Sequence, residues 1–403
     1  MTAGALDGIK VLEFGTAHAA PAACAILGDL GASVIKIEAR SGDHFRSVTD
    51  VHGVSVRKPD GSNYMFDALA RNKRSITIDL EKAQGREIAY RLVRSADILI
   101  CNLLPATIHK LGMDYESLRK QNPRLIYCHT SAFGPKGTEA DQPGNDPVAQ
   151  ARSGICLAEK KETAEPFSPT GLSDQAASLS IVIAALAALF SQKQTGMGQK
   201  VETSLLGATI WLETTLFTLV SASGREMRGR DRENCPNPLH NFYQAGDGKW
   251  LWLGRWVDPD RYWPAWCCVL GIEELQNDSR FHNIEARTKN NKLLISILDE
   301  VFKSQSSGEW LERFQKEHLL GSRANTLLDV FDDPQVVAND YLSEFEHPTL
   351  GLMKYVRTPI DFGQTPIAVR LPAPELGQHT EEILLEEQYS WDEIEKLKNE
   401  EVI

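Results

Sequence analysis

The sequence lacks most of the marks by which a chain announces a cofactor or a compartment. Its 403 residues hold seven cysteines, Cys24, Cys101, Cys128, Cys156, Cys235, Cys267 and Cys268, with no C-x-x-C pair among them. An odd, scattered set of this kind excludes a disulfide framework and a zinc site of the usual spacing, and it predicts free thiols in a reducing compartment. No G-x-x-x-x-G-K-[ST] occurs, which excludes a P-loop. After the first apolar strand comes "FGTAHAAPAA", where Gly15 stands alone at a place that carries three glycines in a dinucleotide site. Glu38 sits at a ribose-binding distance, but one acid without the glycines does not make a nicotinamide site. G-x-S-x-G and H-E-x-x-H are absent too, which removes the simplest hydrolases. The start "MTAGALDGIKVLEF" has neither the basic residues nor the apolar core of a signal peptide, and the longest membrane-like run, Leu179 to Phe190, is too short for a helical span. Positive charge is in deficit: 43 basic against 55 acidic residues give −12, no field for nucleic acid or an anionic membrane. Together these absences predict a cytoplasmic protein with no nucleic-acid or membrane partner, whose Asn277-Asp278-Ser279 sequon is coincidental.

With 42% hydrophobic and 24% charged residues, the chain has an ordinary globular composition. Its length predicts two domains, or one enlarged by insertion. "IKVLEF" leads through small residues to "SVIKIE", and "SITIDL" leads through a helical stretch to "DILICN" and then "RLIYCHTSAFG". This alternation predicts an α/β fold with a doubly wound, largely parallel, Rossmann-like sheet. "KVETSLLGATIWL" reads as a strand running into a helix. The polar stretch Ser221 to Pro238 reads as a linker, and "NFYQAGDGKWLWLG" as a hairpin about an Asp-Gly turn. Five of the eight tryptophans, Trp250, Trp252, Trp256, Trp263 and Trp266, fall in or beside that hairpin and are read as the core of a smaller α+β domain. Residues 1–220 are thus assigned to the large domain, 221–328 to the smaller one, and 329–403 to a return to the first. "TEEILLEEQYSWDEIEKLKNEEVI" closes the chain as an amphipathic helix with a solvated charged face.

One acid stands out. In "SPTGLSDQAAS", Asp174 precedes the run "LSIVIAALAALF". The position fits a helix cap, because a side-chain oxygen there satisfies a free backbone N–H. It also fits a reactive carboxylate.

Eight segments in order, among them "GDLGASVIKIE" with "GDHFR", "ARNKRSITIDL", "SADILICN", "PGNDPVAQARSG", "QKQTGMGQKV" and "LGQHTEEIL", resemble the family III CoA-transferases, a superfamily that also holds 2-methylacyl-CoA racemases. The resemblance implies an intertwined homodimer, acyl-CoA and small carboxylic acids as substrates, no metal and no permanently bound cofactor. It also implies that Asp174 is the nucleophile. A carboxylate that attacks a thioester forms a mixed anhydride and keeps the activated carbonyl on the enzyme. By position in the motifs, the expected CoA contacts are Thr16, Ala17 and His18, Arg40, Asn72 and Lys73, Asn102, Leu103 and Leu104, and Lys110. Asn145 and Asp146 of "PGNDPVAQ" complete the set. With no acid beside it in sequence, His18 is read as a polar contact rather than a base.

The chain departs from the family pattern in three places. Ala39 follows Glu38 where the family often has Arg, so Arg40 comes one place late. "QAAS" replaces a small-polar-then-Gly pair after Asp174. No glycine run lies between Cys235 and Gly254, which disfavours oxalate as acceptor. Asn145 stands where the racemase branch has His, and an amide exchanges no proton at neutral pH.

Overall fold

In a computed structural model, residues 4–59, 61–158, 165–227, 229, 231–254, 258–347 and 351–403 are described. The chain divides into two compact units, one of residues 1–157, 166–225 and 341–403 and one of 158–165 and 226–340.

The larger unit is built on six parallel strands: β1 (Lys10–Phe14), β2 (Ser33–Glu38), β3 (Lys73–Thr77), β4 (Ile98–Cys101), β5 (Ile126–Ser131) and β6 (Lys200–Ser204). Their spatial order is β3-β2-β1-β4-β5-β6, with Val11 beside Val34 and Leu12 beside Leu99. The order reverses between β1 and β4, and open α/β sheets bind ligands beyond the carboxyl ends of strands at such a switch point. The strands read as apolar runs because helices cover both faces.

On one face, α1 (Ala19–Asp29) packs Ala20, Ala23, Cys24 and Leu27 against Ile181, Val182, Ala185 and Leu189 of α5 (Leu172–Thr195). Small residues let the two helices approach closely. On the other face, α2 (Ala83–Ser95) and the C-terminal segment supply Ile88, Leu92, Ile383, Leu384, Ile394 and Leu397. Between α2 and α5 lie α3 (Pro105–Lys110) and α4 (Asp146–Ser153), and β6 runs straight into α6 (Leu205–Leu212), followed by α7 (Thr214–Ser223). At 24 residues, α5 is longer than the run from Leu179 to Phe190 because polar residues at both ends join the helix. Its length and apolar character meet the size of a membrane span, and half of that window is buried inside the protein.

In the smaller unit, β7 (Phe242–Gln244) and β8 (Trp250–Leu253) form the expected hairpin, with Leu251 opposite Tyr243 and Gly248 left-handed in the turn. Trp263 and Trp266 are core residues, joined by Trp310, Phe302 and Phe314, whereas Trp250 is exposed. Trp256 lies outside the described residues. The units divide at 225/226 and 340/341, later than the 220/221 and 328/329 read from sequence. α7 continues to Ser223, and the segment after 328 is tied to the hairpin, with Lys249 Nζ 3.2 Å from Asp329.

The last amphipathic stretch is two helices, α8 (Thr380–Glu386) and α9 (Trp391–Asn399), broken where Ser390 and Glu393 form a capping box. Its apolar residues enter the main core, so it is more than a solvated face.

Candidate functional site

Asp174 is the third residue of α5, and Gly171 holds the left-handed N-cap position at φ 76°. A helix start leaves backbone N–H groups without partners. Here they are met from another helix. Asp146 Oδ1 accepts from Ser173 N at 2.7 Å and Asp174 N at 3.2 Å, and Oδ2 accepts from Gly171 N at 2.9 Å and Gln150 Nε2 at 2.8 Å. Asp146 therefore does the capping that Asp174 was a candidate for. It lies in the first turn of α4 and is buried, so it is a brace beneath the site rather than a ligand contact. Asn145 is the exposed N-cap of α4, with its Oδ1 accepting from Val148 N.

The Asp174 carboxylate accepts no hydrogen bond among the described residues. Burial, then the charge of Asp146, pushes its pKa up to about 7. The helix start does not hold the acid ionised, because its donors are spent on Asp146.

A raised carboxylate pKa is also a cost to folding once the group must ionise. Below the unfolded value of 3.8 both states are protonated; between there and about 7 the folded chain keeps a proton that the unfolded chain releases. Stability therefore falls as pH rises through this window. The variant Asp174→Asn is expected to be more stable than the parent at pH 8 by about 1–2 kcal/mol, allowing for partial solvent access, and equal to it near pH 3. Urea unfolding at both pH values checks this.

The residues after Asp174 account for "QAAS". Gln175 Nε2 lies 2.8 Å from His18 Nε2, Ala177 is buried among Ala19, Ala149 and Ala208, and Ser178 Oγ donates to Ala19 O. A Cβ on Gly171 would meet His18 Cε1 at 3.5 Å, so the ring lies against the helix start. Burial lowers the His18 pKa, with Asp146 pulling the other way. His18 is thus a polar contact to Gln175.

The loop carrying His18 also reaches the carboxyl edge of the sheet. Thr16 is clamped by Asn102, whose Oδ1 accepts from Thr16 N at 3.0 Å and whose Nδ2 donates to Thr16 O at 2.8 Å. Ala17 is left-handed at φ 61°, a conformation costly for a residue with a Cβ. Its N–H donates to Asp43 Oδ1 at 3.1 Å. Asp43 is in turn bound by the buried Lys36 at 2.7 Å, and Lys36 reaches Glu13 at 2.6 Å and Gly15 O at 3.0 Å. Burial opposes the Lys36 charge, but Glu13, Asp43 and Glu38 outweigh it and raise the pKa. Glu38 is engaged by Arg46 and Ser75, so it is not a ribose ligand.

Beyond β1, β2, β3 and β4 lies a groove of about 630 Å³, lined by Thr16, Arg40, Leu80, Glu81, Leu103 and Lys110 among others. Four of the expected contacts, Thr16, Arg40, Leu103 and Lys110, line it, and Ala17, His18 and Asn102 belong to its supporting loops. Leu104 caps α3 and is not part of the lining.

Asn72 and Lys73 require correction. Both are buried: Asn72 bonds Asp29 and the backbone of Ala368, Arg370 and Leu371, and Lys73 Nζ bonds Glu13 at 2.5 Å and Pro21 O at 2.8 Å. Asn72 precedes β3 and Lys73 opens it, and only residues that follow a parallel strand reach the carboxyl edge. The lining after β3 is instead Ile78 to Glu81, at the end of "SITIDLE". All seven cysteines are free, and six are buried.

The larger unit thus joins a groove at the carboxyl edge of an α/β sheet to a half-buried carboxylate with no hydrogen-bond donor among the described residues. Residues 6–380 match the family described as CoA-transferase family III, and the chain belongs to that family. It is a CoA-transferase. The chain is 32% identical over 402 residues to the (R)-2-hydroxy-4-methylpentanoate CoA-transferase of Clostridioides difficile, covering 99% of both chains. It is 30% identical over 402 residues to the cinnamoyl-CoA:phenyllactate CoA-transferase of Clostridium sporogenes, covering 98% of this chain and 96% of that one. The crystal structure of a CaiB/BaiF family protein from Brucella suis superposes with a TM-score of 0.84 at 31% identity, covering 96% of this chain and all of that one.

Proposed function

We propose that Asp174 carries the transfer covalently. Its carboxylate attacks the thioester carbon of the donor acyl-CoA, forming a mixed anhydride and releasing CoA thiolate. The thiolate attacks the Asp174 carbonyl, the donor acid leaves, and Asp174 becomes a CoA thioester. The acceptor carboxylate displaces the thiolate to form a second anhydride, and attack of the thiolate on the acceptor carbonyl restores Asp174 and yields the new acyl-CoA. The observation that supports this reading is an Asp174 carboxylate with no hydrogen-bond partner among the described residues, at a helix start whose donors Asp146 already occupies. A carboxylate lifted to about 7 is more basic than the free acids it exchanges, and so a better nucleophile once ionised. CoA lies in the groove, with Arg40 and Lys110 meeting its phosphates.

Incubation with acyl-CoA and hydroxylamine is expected to convert Asp174 to a hydroxamate and inactivate the enzyme. Turnover with Asp174 unmodified contradicts the covalent route. A racemase would instead exchange α-deuterium without an acceptor; Asn145, exposed and capping α4, offers no base for that step. The acceptors to screen first are 2-hydroxy monocarboxylates, the class named in both relatives.

The enzyme acts as a homodimer. Leu179, Ile183 and Phe190 of α5 and Trp211 and Phe217 of α6 and α7 are exposed, with an apolar hollow of about 650 Å³ beside the last two. Exposed apolar side chains of this size mark a contact surface for another protein chain. Sedimentation is expected to give a dimer, and Trp211→Asp a monomer, at a cost to association of about 2 kcal/mol or more. Six buried thiols fit a cytoplasmic location.

A further inference from the structure

Among the described residues, Arg40 and Lys110 are the two cationic side chains that line the groove, and neither is free. Lys110 Nζ lies 2.6 Å from Glu81 Oε1, and Arg40 NH1 lies 3.5 Å from Glu401 Oε2 and 3.4 Å from Glu401 O. The remaining acids of the lining are accounted for elsewhere: Glu38 by Arg46, Asp43 by Lys36, and Asp79 by the Glu81 N–H. Glu81 and Glu401 thus hold the two positive charges that a phosphate ligand needs.

The backbones of these two acids are fastened. Glu81 N donates to Asp79 Oδ1 at 2.9 Å and Glu81 O accepts from Arg86 NH1 at 2.9 Å, while Glu401 O accepts from Lys82 Nζ at 3.0 Å. The side chains are not: Glu81 and Glu401 are about two-thirds exposed, at 68% and 69%. A change of rotamer therefore exchanges carboxylate for phosphate without moving the chain.

We propose that Glu81 and Glu401 are internal competitors for the CoA phosphates, holding Lys110 and Arg40 in the empty groove and returning to them when CoA leaves. This rests on the assignment of the groove to CoA. It has a kinetic use. Donor and product are both CoA esters and share the groove, so uniform tight binding of the nucleotide would slow product release without hastening the chemistry. Two carboxylates that must be displaced on entry and return on exit weaken that uniform binding. Exposed pairs of this kind are weak, so the exchange costs little and is screened by salt.

Calorimetric titration of the full-length enzyme with CoA and with dephospho-CoA, at low and high salt, tests the proposal in the parent, in Glu81→Gln and in Glu401→Gln. Each variant is expected to bind CoA roughly two- to fivefold more tightly than the parent at low salt, with the gain shrinking at high salt. A gain lost with dephospho-CoA places that competitor at the 3′-phosphate, and a gain retained places it at the pyrophosphate. If both variants bind CoA as the parent does, or more weakly, the proposal is overturned. Failure of the parent itself to bind CoA would instead overturn the assignment of the groove, a separate result.

Discussion

Replacing Asp174 by Asn is expected to lower kcat by about 10⁴-fold or more while leaving the dissociation constant for CoA nearly unchanged. Asn preserves the shape of the side chain and the start of α5, but an amide forms neither an anhydride nor a thioester under these conditions. In the proposed assignment CoA affinity is held elsewhere, by the groove beyond β1 to β4, whose lining does not include Asp174. A loss of binding in proportion to the loss of rate would mean that Asp174 positions CoA and does not attack it. The stability gain of the same variant at pH 8 provides an internal control, because a variant that is inactive and more stable has not failed to fold.

The second large effect is expected at Asp146, where two substitutions separate two jobs. Asp146→Ala removes the acceptor for Gly171 N, Ser173 N and Asp174 N together and strands three donors at a buried helix start. Lost caps and unmet buried donors cost about 1–3 kcal/mol each, so a loss of about 3 kcal/mol or more and a misplaced nucleophile are expected. Asp146→Asn keeps one oxygen for Ser173 and Asp174 but removes the charge. The charged group that acts on Asp174 is Asp146 from α4. With Asp146 neutral the carboxylate ionises more easily. In the parent, the acid limb of kcat/KM is expected near pH 7, activity falling below it as Asp174 takes up a proton. In Asp146→Asn that limb moves to lower pH, and the plateau rate falls because the nucleophile is less basic. An unmoved limb would assign the titration to another group.

Much of this was readable in the chain. The alternation of "IKVLEF", "SVIKIE", "SITIDL", "DILICN" and "RLIYCHTS" carries the parallel sheet, because strands covered on both faces are short apolar runs separated by helices. Thr16, Arg40, Leu103 and Lys110 come to one groove because they lie beyond the ends of strands, and Asp174 comes to the start of α5 because it precedes the apolar run; position along the chain is what a sequence shows. Asn72 and Lys73 misled for the complementary reason. A polar Asn-Lys pair beside a strand looks like a ligand site until burial is known, and Lys73 is satisfied by Glu13, sixty residues away in the sequence. Asp146 reads as a ligand contact in the sequence because its tie to Gly171, Ser173 and Asp174 spans 25 to 28 residues and leaves no local pattern. The same holds for the pairing of Glu81 with Lys110 and of Arg40 with Glu401. Long-range electrostatics between exposed side chains have no periodicity to read.

A covalent Asp174 exchanges its own oxygen with the substrates, and a single turnover with an acceptor acid carrying heavy oxygen in both carboxylate positions tests that most directly. In the proposed sequence the acceptor carboxylate enters as the bridging oxygen of the second anhydride. That atom stays on Asp174 when the thiolate removes the acceptor carbonyl. Mass analysis of the peptide containing Asp174 is therefore expected to show one heavy oxygen per turnover, and none in Asp146. Transfer of CoA with Asp174 unlabelled would show that the acids exchange without passing through it, and would contradict the covalent role.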